Sequence, residues 1–454
     1  MWVERYGVQH ELPALAERLH ARGGLAWLDG EGRSADSWSF LGCTPVETLR
    51  ATYADGDPLA PLATTVPRRD TSGEHAPHFR GPAADAPLPP LGRVPRYIGY
   101  VAYDAAFALE RRLRPRHLRD PAAPTLHFAR YDALLAVAHA GAREETNAPE
   151  AFILADDEDA AARLRAALDA RVEPAAPPLP SMAWAPDPNL HAAAVRAALE
   201  HIAAGDFYQV NLARRWTAKL GGSAFPLFLA MRRASPVPLG AYLDAGDHAV
   251  LARTMETFLR WERTERRLST RPIKGTVPRA EGQDEAAARA LRTDEKEHAE
   301  HAMIVDLMRN DLARVAATGS VRVEAPFSVE PYARLSHLVT TVTATTREDV
   351  GLVDILRATF PPGSVTGAPK LAAMQAIEAL EPEPRGVYCG AVGHVDQLGG
   401  LTLAVAIRTA LVRHDTMHYF AGGGLVAASD PEREVAETEL KARVFLDAID
   451  ALRR

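Results

Sequence analysis

Between Glu173 and Pro188 the chain carries six prolines: Pro174, Pro177, Pro178, Pro180, Pro186 and Pro188. Each fixes φ and removes a backbone donor, so neither a helix interior nor a central strand is expected to run through this stretch. It reads as the main linker. It divides the 454 residues into an N-terminal α/β part, 1–180, and a C-terminal part, 181–454. A chain of this length exceeds one ordinary domain and buries a large core.

Before the linker, Glu11 to Arg22 reads as a helix with Leu12, Leu15 and Leu19 on one face, stopped by Gly23-Gly24. Leu25 to Leu28 and Trp38 to Gly42 read as strands. Residues 55–95, rich in Pro, Ala, Gly and Asp, read as a long mobile loop. Strands follow at Tyr97 to Asp104 and Tyr131 to Ala138, and an Ala-rich helix at Glu158 to Arg171. After the linker come a helix at His191 to Ala203 and strands at Gln209 to Thr217 and Ala249 to Trp261. A long helix covers Asp294 to Ala316, and Val321 to Val323 and Leu338 to Thr343 are strand-like. Helices at Val353 to Phe360 and Lys370 to Leu380 flank a glycine-rich turn. Strands resume at Gly390 to His394 and Leu401 to Leu411. Asp430 is placed to cap a last helix with Pro431 at its first position, running to Leu452.

The formal net charge is -7, which gives no footprint of a nucleic-acid binder. The longest apolar run, Leu401 to Val412, is too short to span a membrane and carries Arg408. Cys43 and Cys389 lie far apart and build neither a disulfide framework nor a cysteine metal site, which suits a reducing cytoplasm. The start, Met1-Trp2-Val3-Glu4-Arg5, has an early acid and no apolar run behind it, so no signal peptide is expected.

Four features could carry chemistry. In Arg271-Pro272-Ile273-Lys274-Gly275-Thr276-Val277-Pro278-Arg279 two prolines hold the segment extended around one lysine, and Gly275 permits close approach. An amine held and partly desolvated becomes a nucleophile; the same residues also suit a surface lysine in a loop. Glu297 and Glu300 share a face of the long helix. Glu434 and Glu437 repeat the spacing on the last helix, with Lys441 one turn on. Facing carboxylates repel unless a cation joins them, and oxygen-only ligands suit Mg²⁺; two solvated helix faces are the alternative. Arg408, inside an apolar strand, demands a carboxylate from protein or substrate. Gly422-Gly423-Gly424 allows close approach to a ligand or makes a plain turn. Pro362 to Lys370 lacks the Gly-Lys-Ser/Thr register of a nucleotide loop.

These pieces together resemble the chorismate-utilising enzymes, the group of anthranilate, aminodeoxychorismate, isochorismate and salicylate synthases. The matching motifs run in family order: Ala204 to Leu212; Arg271 to Thr276; Ala299 to Leu307 with Arg309-Asn310-Asp311; Gly363 to Lys370; Arg385 to Gly390; Ala406 to Thr409; Gly422 to Val426 with Ser429-Asp430-Pro431. They cover the chain from about residue 190 onward; the N-terminal part matches mainly through Tyr97 to Asp104.

The resemblance implies an α+β fold, a layered sandwich of two large antiparallel sheets flanked by helices, with sheets shared between the two parts. Family members that form anthranilate carry alanine at the Lys274 position, and those that form aminodeoxychorismate carry lysine. The implied reaction is therefore chorismate plus ammonia to 4-amino-4-deoxychorismate, on the way to 4-aminobenzoate and folate. Lys274 attacks C2, Glu256 protonates the departing C4 hydroxyl, and ammonia then adds at C4 and expels the lysine. The family's Ser-Pro-Glu motif reads Thr254-Met255-Glu256 here. Mg²⁺ would hold the ring carboxylate through Glu300 and Glu437, with Glu297 and Glu434 behind them. Arg408 and Tyr388 would hold the enolpyruvyl carboxylate. Lys441, Gly422, Gly423 and Gly424 would place substrate carboxylates, with Thr276, Thr366 and His337 at the pocket. Ammonia would come from a separate glutamine amidotransferase, and a separate lyase would consume the product. Trp27-Leu28-Asp29-Gly30 stands where tryptophan-inhibited members carry Leu-Leu-Glu-Ser, which argues against tryptophan feedback. Anthranilate formation, or chorismate binding without catalysis, are the other readings.

Overall fold

The structure is a computed structural model. It describes the chain except residues 8–9, 31–36, 66–77, 140–149, 174–178, 279–288, 290, 294, 332–334 and 454. Of residues 179–183, 276, 278, 295, 296, 331 and 335 it describes the backbone alone.

Two large antiparallel sheets form the centre, of twelve and ten strands among the described residues. Each takes strands from both sides of the proline-rich stretch: Ala26–Asp29 pairs with Leu239–Asp244 in the first, and Pro95–Val101 with Ala391–Asp396 in the second. The inner faces meet over Ile98, Tyr100, Leu134, Leu243 and Val250. Helices Leu12–His20, Glu158–Asp169, Phe225–Ala234 and Pro431–Leu452 cover the outer face of the first sheet through Leu15, Leu164, Phe225 and Phe445. Helices Glu295–Ala313 and Leu352–Thr359 cover the second through Ile304, Met308, Leu312 and Ile355. The molecule is an α+β sandwich of four layers, as the resemblance implies.

The sheets are joined by a paired ribbon that bends from one to the other. His248–Thr254 lies in the first sheet and continues as Thr257–Glu262 in the second. Its neighbour runs back, from Leu401–Val405 in the second to Thr409–Arg413 in the first. The strands pair on both sides of the bend. At the bend the Val405 N–H donates to the Glu256 carbonyl at 2.9 Å and the Arg253 N–H to the Arg408 carbonyl at 3.1 Å. The expected single strands at 249–261 and 401–411 are each broken here. A continuous apolar run cannot tell one buried strand from two that change sheet. Arg408 is therefore not inside a strand, as expected from the sequence, but at the break, with φ of 49°.

The proline-rich stretch also departs from a plain linker. Leu179–Trp184 forms an edge strand on Gln209–Gly221, a position where proline is tolerated. Pro188 opens helix Pro188–Ala204 beside its cap Asp187. A short 3₁₀ turn at Tyr53–Asp55 leads into 55–95, further turns at Ala60–Thr64 and Leu91–Arg93 punctuate it, and Leu59 and Leu62 are fully buried. Residues 66–77 lie outside the described residues. Among the described residues, no helix is long and apolar enough to cross a membrane.

The last helix is fixed at both ends of its contact with the sheet. The Asp430 carboxylate accepts the Arg433 N–H at 3.0 Å. Further along, Phe445 stacks on Tyr419 with ring centroids 4.4 Å apart. Full burial of one such phenylalanine is worth about 1.5–3 kcal/mol.

Candidate active site

The site wall is the end of strand Thr416–Leu425. There Gly422, Gly423 and Gly424 pair with Ala213, Leu212 and Asn211 of Gln209–Gly221. Successive residues of a strand face opposite sides. A methyl on Gly423 would meet Glu434 Oε2 at 2.9 Å and Glu437 Oε1 at 3.4 Å, on the side of the last helix. A methyl on Gly424 would meet Gln209 Nε2 at 2.7 Å and Lys274 Nζ at 3.0 Å on the other side. Glycine is needed at both positions for these side chains to reach the backbone.

Lys274 sits in strand Ile273–Pro278, paired with Leu335–Thr345 through a bulge at Gly275. Gly275 has φ of 66°, and a methyl there would meet Leu291 Cδ2 at 2.9 Å and Glu297 Oε2 at 3.4 Å. The bulge lets the long helix close on the strand. Lys274 Nζ donates to Glu300 Oε2 at 3.3 Å, with the two side chains 18% and 12% exposed. A run of contacts thus joins Glu300, Lys274, Gly424, Gly423 and Glu437 across the strand end.

Glu256 lies at the ribbon bend, 5% exposed. Its backbone N–H is donated to Thr254 Oγ1 at 3.4 Å, so threonine in the altered motif supports the acid's backbone. Burial pushes the Glu256 carboxyl up to about 7; a hydrogen bond from Ser364 and the charge of Lys274 oppose that rise. The carboxyl is therefore protonated in a large fraction of molecules near neutrality.

Arg408 is half-buried, and burial works against its charge, with the Tyr419 phenol opposing that shift. Among the described residues its guanidinium takes no hydrogen bond or ion pair. His337, 1% exposed, is pulled down to about 4 by burial and by Arg408, while a Gly275 backbone contact opposes this; it is neutral at physiological pH. Tyr388 is buried and stacks on Phe420 with centroids 5.1 Å apart.

Other expected residues stand as follows. Lys441 Nζ donates to the Gly422 carbonyl at 2.8 Å and pairs with Glu437 Oε1 at 2.6 Å. The Thr366 hydroxyl is fully buried and donates to the Pro362 and Gly363 carbonyls at 3.2 and 3.1 Å, so it holds its own turn rather than lining open space. The Thr276 side chain lies outside the described residues. The four glutamates do not form one cage. Among the described residues no group of three or more His, Cys, Asp or Glu is gathered to hold a metal. The donors are hard oxygens only, and one or two carboxylates with several waters is the usual protein share of a Mg²⁺ site, so Glu300 and Glu437 fit that ion. Asp29, in the stretch compared with the tryptophan pocket, is fully taken up by Arg253 at 2.7 Å and Arg232 at 2.9 Å.

Sequence reasoning missed Ser364, Gln209 and the residues anchoring the loop before Lys370. Ser364 and Gln209 lie inside motifs it had singled out. Neither has a chemistry that marks it without a partner in view.

A family model for chorismate binding enzyme matches residues 32–447. Anthranilate synthase component 1 of Aquifex aeolicus (strain VF5) is 44% identical over 258 residues, 56% of this chain and 52% of that protein, so the match spans about half of that relative. Aminodeoxychorismate synthase component 1 of Salmonella typhimurium (strain LT2) is 34% identical over 423 residues, 91% of this chain and 90% of that protein. Among solved structures, anthranilate synthase component I from Streptococcus pneumoniae superposes with a TM-score of 0.74 at 28% identity, covering 90% of this chain and 92% of that one. The glycine wall, the paired glutamates and the lysine strand lie within the matched range, and the chain belongs to the chorismate binding enzyme family.

Proposed function

We propose that the protein converts chorismate and ammonia into 4-amino-4-deoxychorismate and water. The observation that carries this reading is Lys274: its amine reaches the Gly424 wall and lies within electrostatic range of the buried acid Glu256. A nucleophile and a proton donor in one site suit a reaction in which a bond forms at C2 while hydroxide must leave C4.

Lys274, as the free amine, attacks C2. The ring double bond shifts and the C4 hydroxyl leaves as water, taking the Glu256 proton. Ammonia then adds at C4, the double bond returns, and the C2–nitrogen bond to Lys274 breaks. Glu256 matches the first step because burial keeps its proton on near neutral pH. Arg408, with its guanidinium fork unengaged by described residues, is the counter-charge for the enolpyruvyl carboxylate, and Tyr388 is the second group assigned to that carboxylate. A Mg²⁺ ion held by Glu300 and Glu437 would neutralise the ring carboxylate, with Glu297 and Glu434 behind. With Glu300 so engaged, Lys274 loses its counter-charge.

Two relatives carry the words component 1, which supports a partner chain. A glutamine amidotransferase fits as ammonia source and a lyase as consumer of the product. The cytoplasm is the compartment that suits two buried, free cysteines.

The relative at 44% identity favours a second reading, anthranilate formation. Purified protein supplied with chorismate, Mg²⁺ and ammonium separates them. Product that becomes 4-aminobenzoate only after a lyase is added supports the proposal. Direct appearance of o-aminobenzoate sinks it.

A further inference from the structure

The strand Gln209–Gly221 has a gap along one edge. Gly367–Ala368 pairs with its start, at Gln209 and Val210, and Leu179–Trp184 with its end, from Thr217 to Gly221. Among the described residues no strand covers 211–216 between them. On its other edge this part pairs with the glycine wall: Asn211 lies opposite Gly424, Leu212 opposite Gly423 and Ala213 opposite Gly422. Buried backbone groups on an uncovered edge need other partners. Here side chains supply them. Glu381 Oε1 accepts the Ala213 N–H at 2.8 Å, and Arg385 Nη2 donates to the Asn211 carbonyl at 2.7 Å. The Thr366 carbonyl accepts the Asn211 N–H at 2.8 Å.

The two side chains also grip each other, Arg385 Nη2 on Glu381 Oε1 at 2.6 Å and Nε on Oε2 at 2.9 Å, and both residues are buried. Helix Lys370–Leu380 leads into the pair. At its start Lys370 Nζ donates to the Pro361 carbonyl at 3.0 Å, the Thr359 carbonyl at 2.7 Å and Asp311 Oδ2 at 2.6 Å. At its end the Glu381 N–H donates to the Ile377 carbonyl at 2.9 Å. Arg385 Nη1 holds the Val365 carbonyl at 2.9 Å. Arg385 also opens the turn that bears Tyr388. The Tyr388 N–H donates to the Arg385 carbonyl at 3.1 Å, and the guanidinium lies 5.7 Å from the Tyr388 ring centroid.

We propose that Glu381 and Arg385 are positioning residues for chorismate binding, a buried clamp that replaces the missing strand and keeps the glycine wall, the Val365 loop and Tyr388 in one arrangement. This rests on the reading of that wall and Tyr388 as substrate contacts. A buried ion pair is a poor source of stability, because desolvation offsets the attraction. Its gain here is direction. A planar guanidinium reaches a carboxylate and two carbonyls at fixed angles, which the point charge of a lysine does not reproduce. Without the clamp the wall spends part of its time displaced, and apparent affinity for chorismate falls in proportion to the fraction left in place.

The test is Arg385→Lys and Glu381→Asp in the full-length protein. Each keeps both charges but loosens the grip on the strand. With Mg²⁺ and ammonium supplied, the KM for chorismate should rise by about tenfold in both, with kcat within about twofold of wild type. Hydrogen exchange read by mass spectrometry should rise in peptides covering 209–216 and 420–426. It should stay at the wild-type rate in Ala133–Ala138, at the far end of the same sheet. A pair that only stabilises the fold gives another pattern: kcat falls with the folded fraction, KM holds, and exchange rises in both places. That pattern overturns the proposal, as do wild-type KM with wild-type exchange over 209–216, and loss of folded protein in both variants. Chorismate consumption is counted whatever the product, so o-aminobenzoate from wild type would sink the proposed reaction and leave this comparison standing.

Discussion

Two sheltered lysines meet the long helix about three turns apart, at Glu300 and at Asp311, and do opposite work. Lys370, with a side chain 13% exposed, spends its ammonium on one carboxylate and two carbonyls, one acceptor for each donor. Burial pulls its pKa below the ordinary value, with Asp311 opposing. Lys274, 18% exposed, has one hydrogen-bond partner among the described residues, Glu300 at 3.3 Å. Burial is nearly the same for both. What differs is saturation: a lysine with three acceptors is a rivet, and one with a single long contact has donors left for a ligand.

Lys274→Ala tests the reactive side most directly. It should cut formation of the C4 amine by about a thousandfold or more, the scale of losing a nucleophile. The melting temperature should stay within a few degrees, because the side chain closes no network. Wild-type rates in this variant would remove the lysine from the chemistry. Lys370→Met should do the reverse. It leaves Asp311 as a lone buried charge, a loss of about 3 kcal/mol in stability, read by denaturant unfolding. A stable Lys370→Met protein would show that the two lysines are not opposites.

Glu256→Gln comes next. An amide cannot give up the proton, and the rate should fall by about a hundredfold. The pH profile makes the point sharper. The acid's folded pKa is raised to about 7, so activity needing its proton is full below 7 and lost as pH rises through that value. The same burial costs stability: the penalty is absent below the ordinary carboxyl value of 4.5, builds as pH rises from there, and is complete once pH has passed through about 7. Glu256→Gln should lose this limb, which chorismate consumption measured from pH 5 to 9 would show.

How much of this was legible in the sequence follows from the same contrast. The Pro-bracketed segment marked Lys274 because its unusual backbone is written in local residues. Helix caps such as Asp430 with Pro431 were legible for the same reason. The ribbon bend was not, because Ala249 to Trp261 and Leu401 to Leu411 keep an apolar pattern through the change of sheet. That bend is what brings Glu256 and Arg408 together from positions far apart in the chain. Lys370 was seen only as a helix start, since its three acceptors come from two helix ends and a loop. Each glutamate pair lies on a helix, as its spacing implied, but spacing along a helix says nothing about how near two helices stand to each other. The proline count gave a linker, yet an edge strand needs few ladder donors and formed there regardless.

Lys441 is the intermediate case, with two acceptors: the Gly422 carbonyl at 2.8 Å and Glu437 Oε1 at 2.6 Å. Its side chain is 40% exposed and that of Glu437 47%, so the pair itself is worth little. Glu437→Gln should therefore leave stability unchanged within about 0.5 kcal/mol. The cost should fall on metal use instead. Removing one of two carboxylates that suit Mg²⁺ should raise the half-saturating Mg²⁺ concentration by about tenfold, the lower end for loss of a group that supports a metal. The product should be unchanged, since Lys274 and Glu256 are untouched. A Mg²⁺ titration that superposes on wild type would mean that Glu437 serves Lys441 alone, and that the last helix meets the glycine wall for packing rather than for a cation.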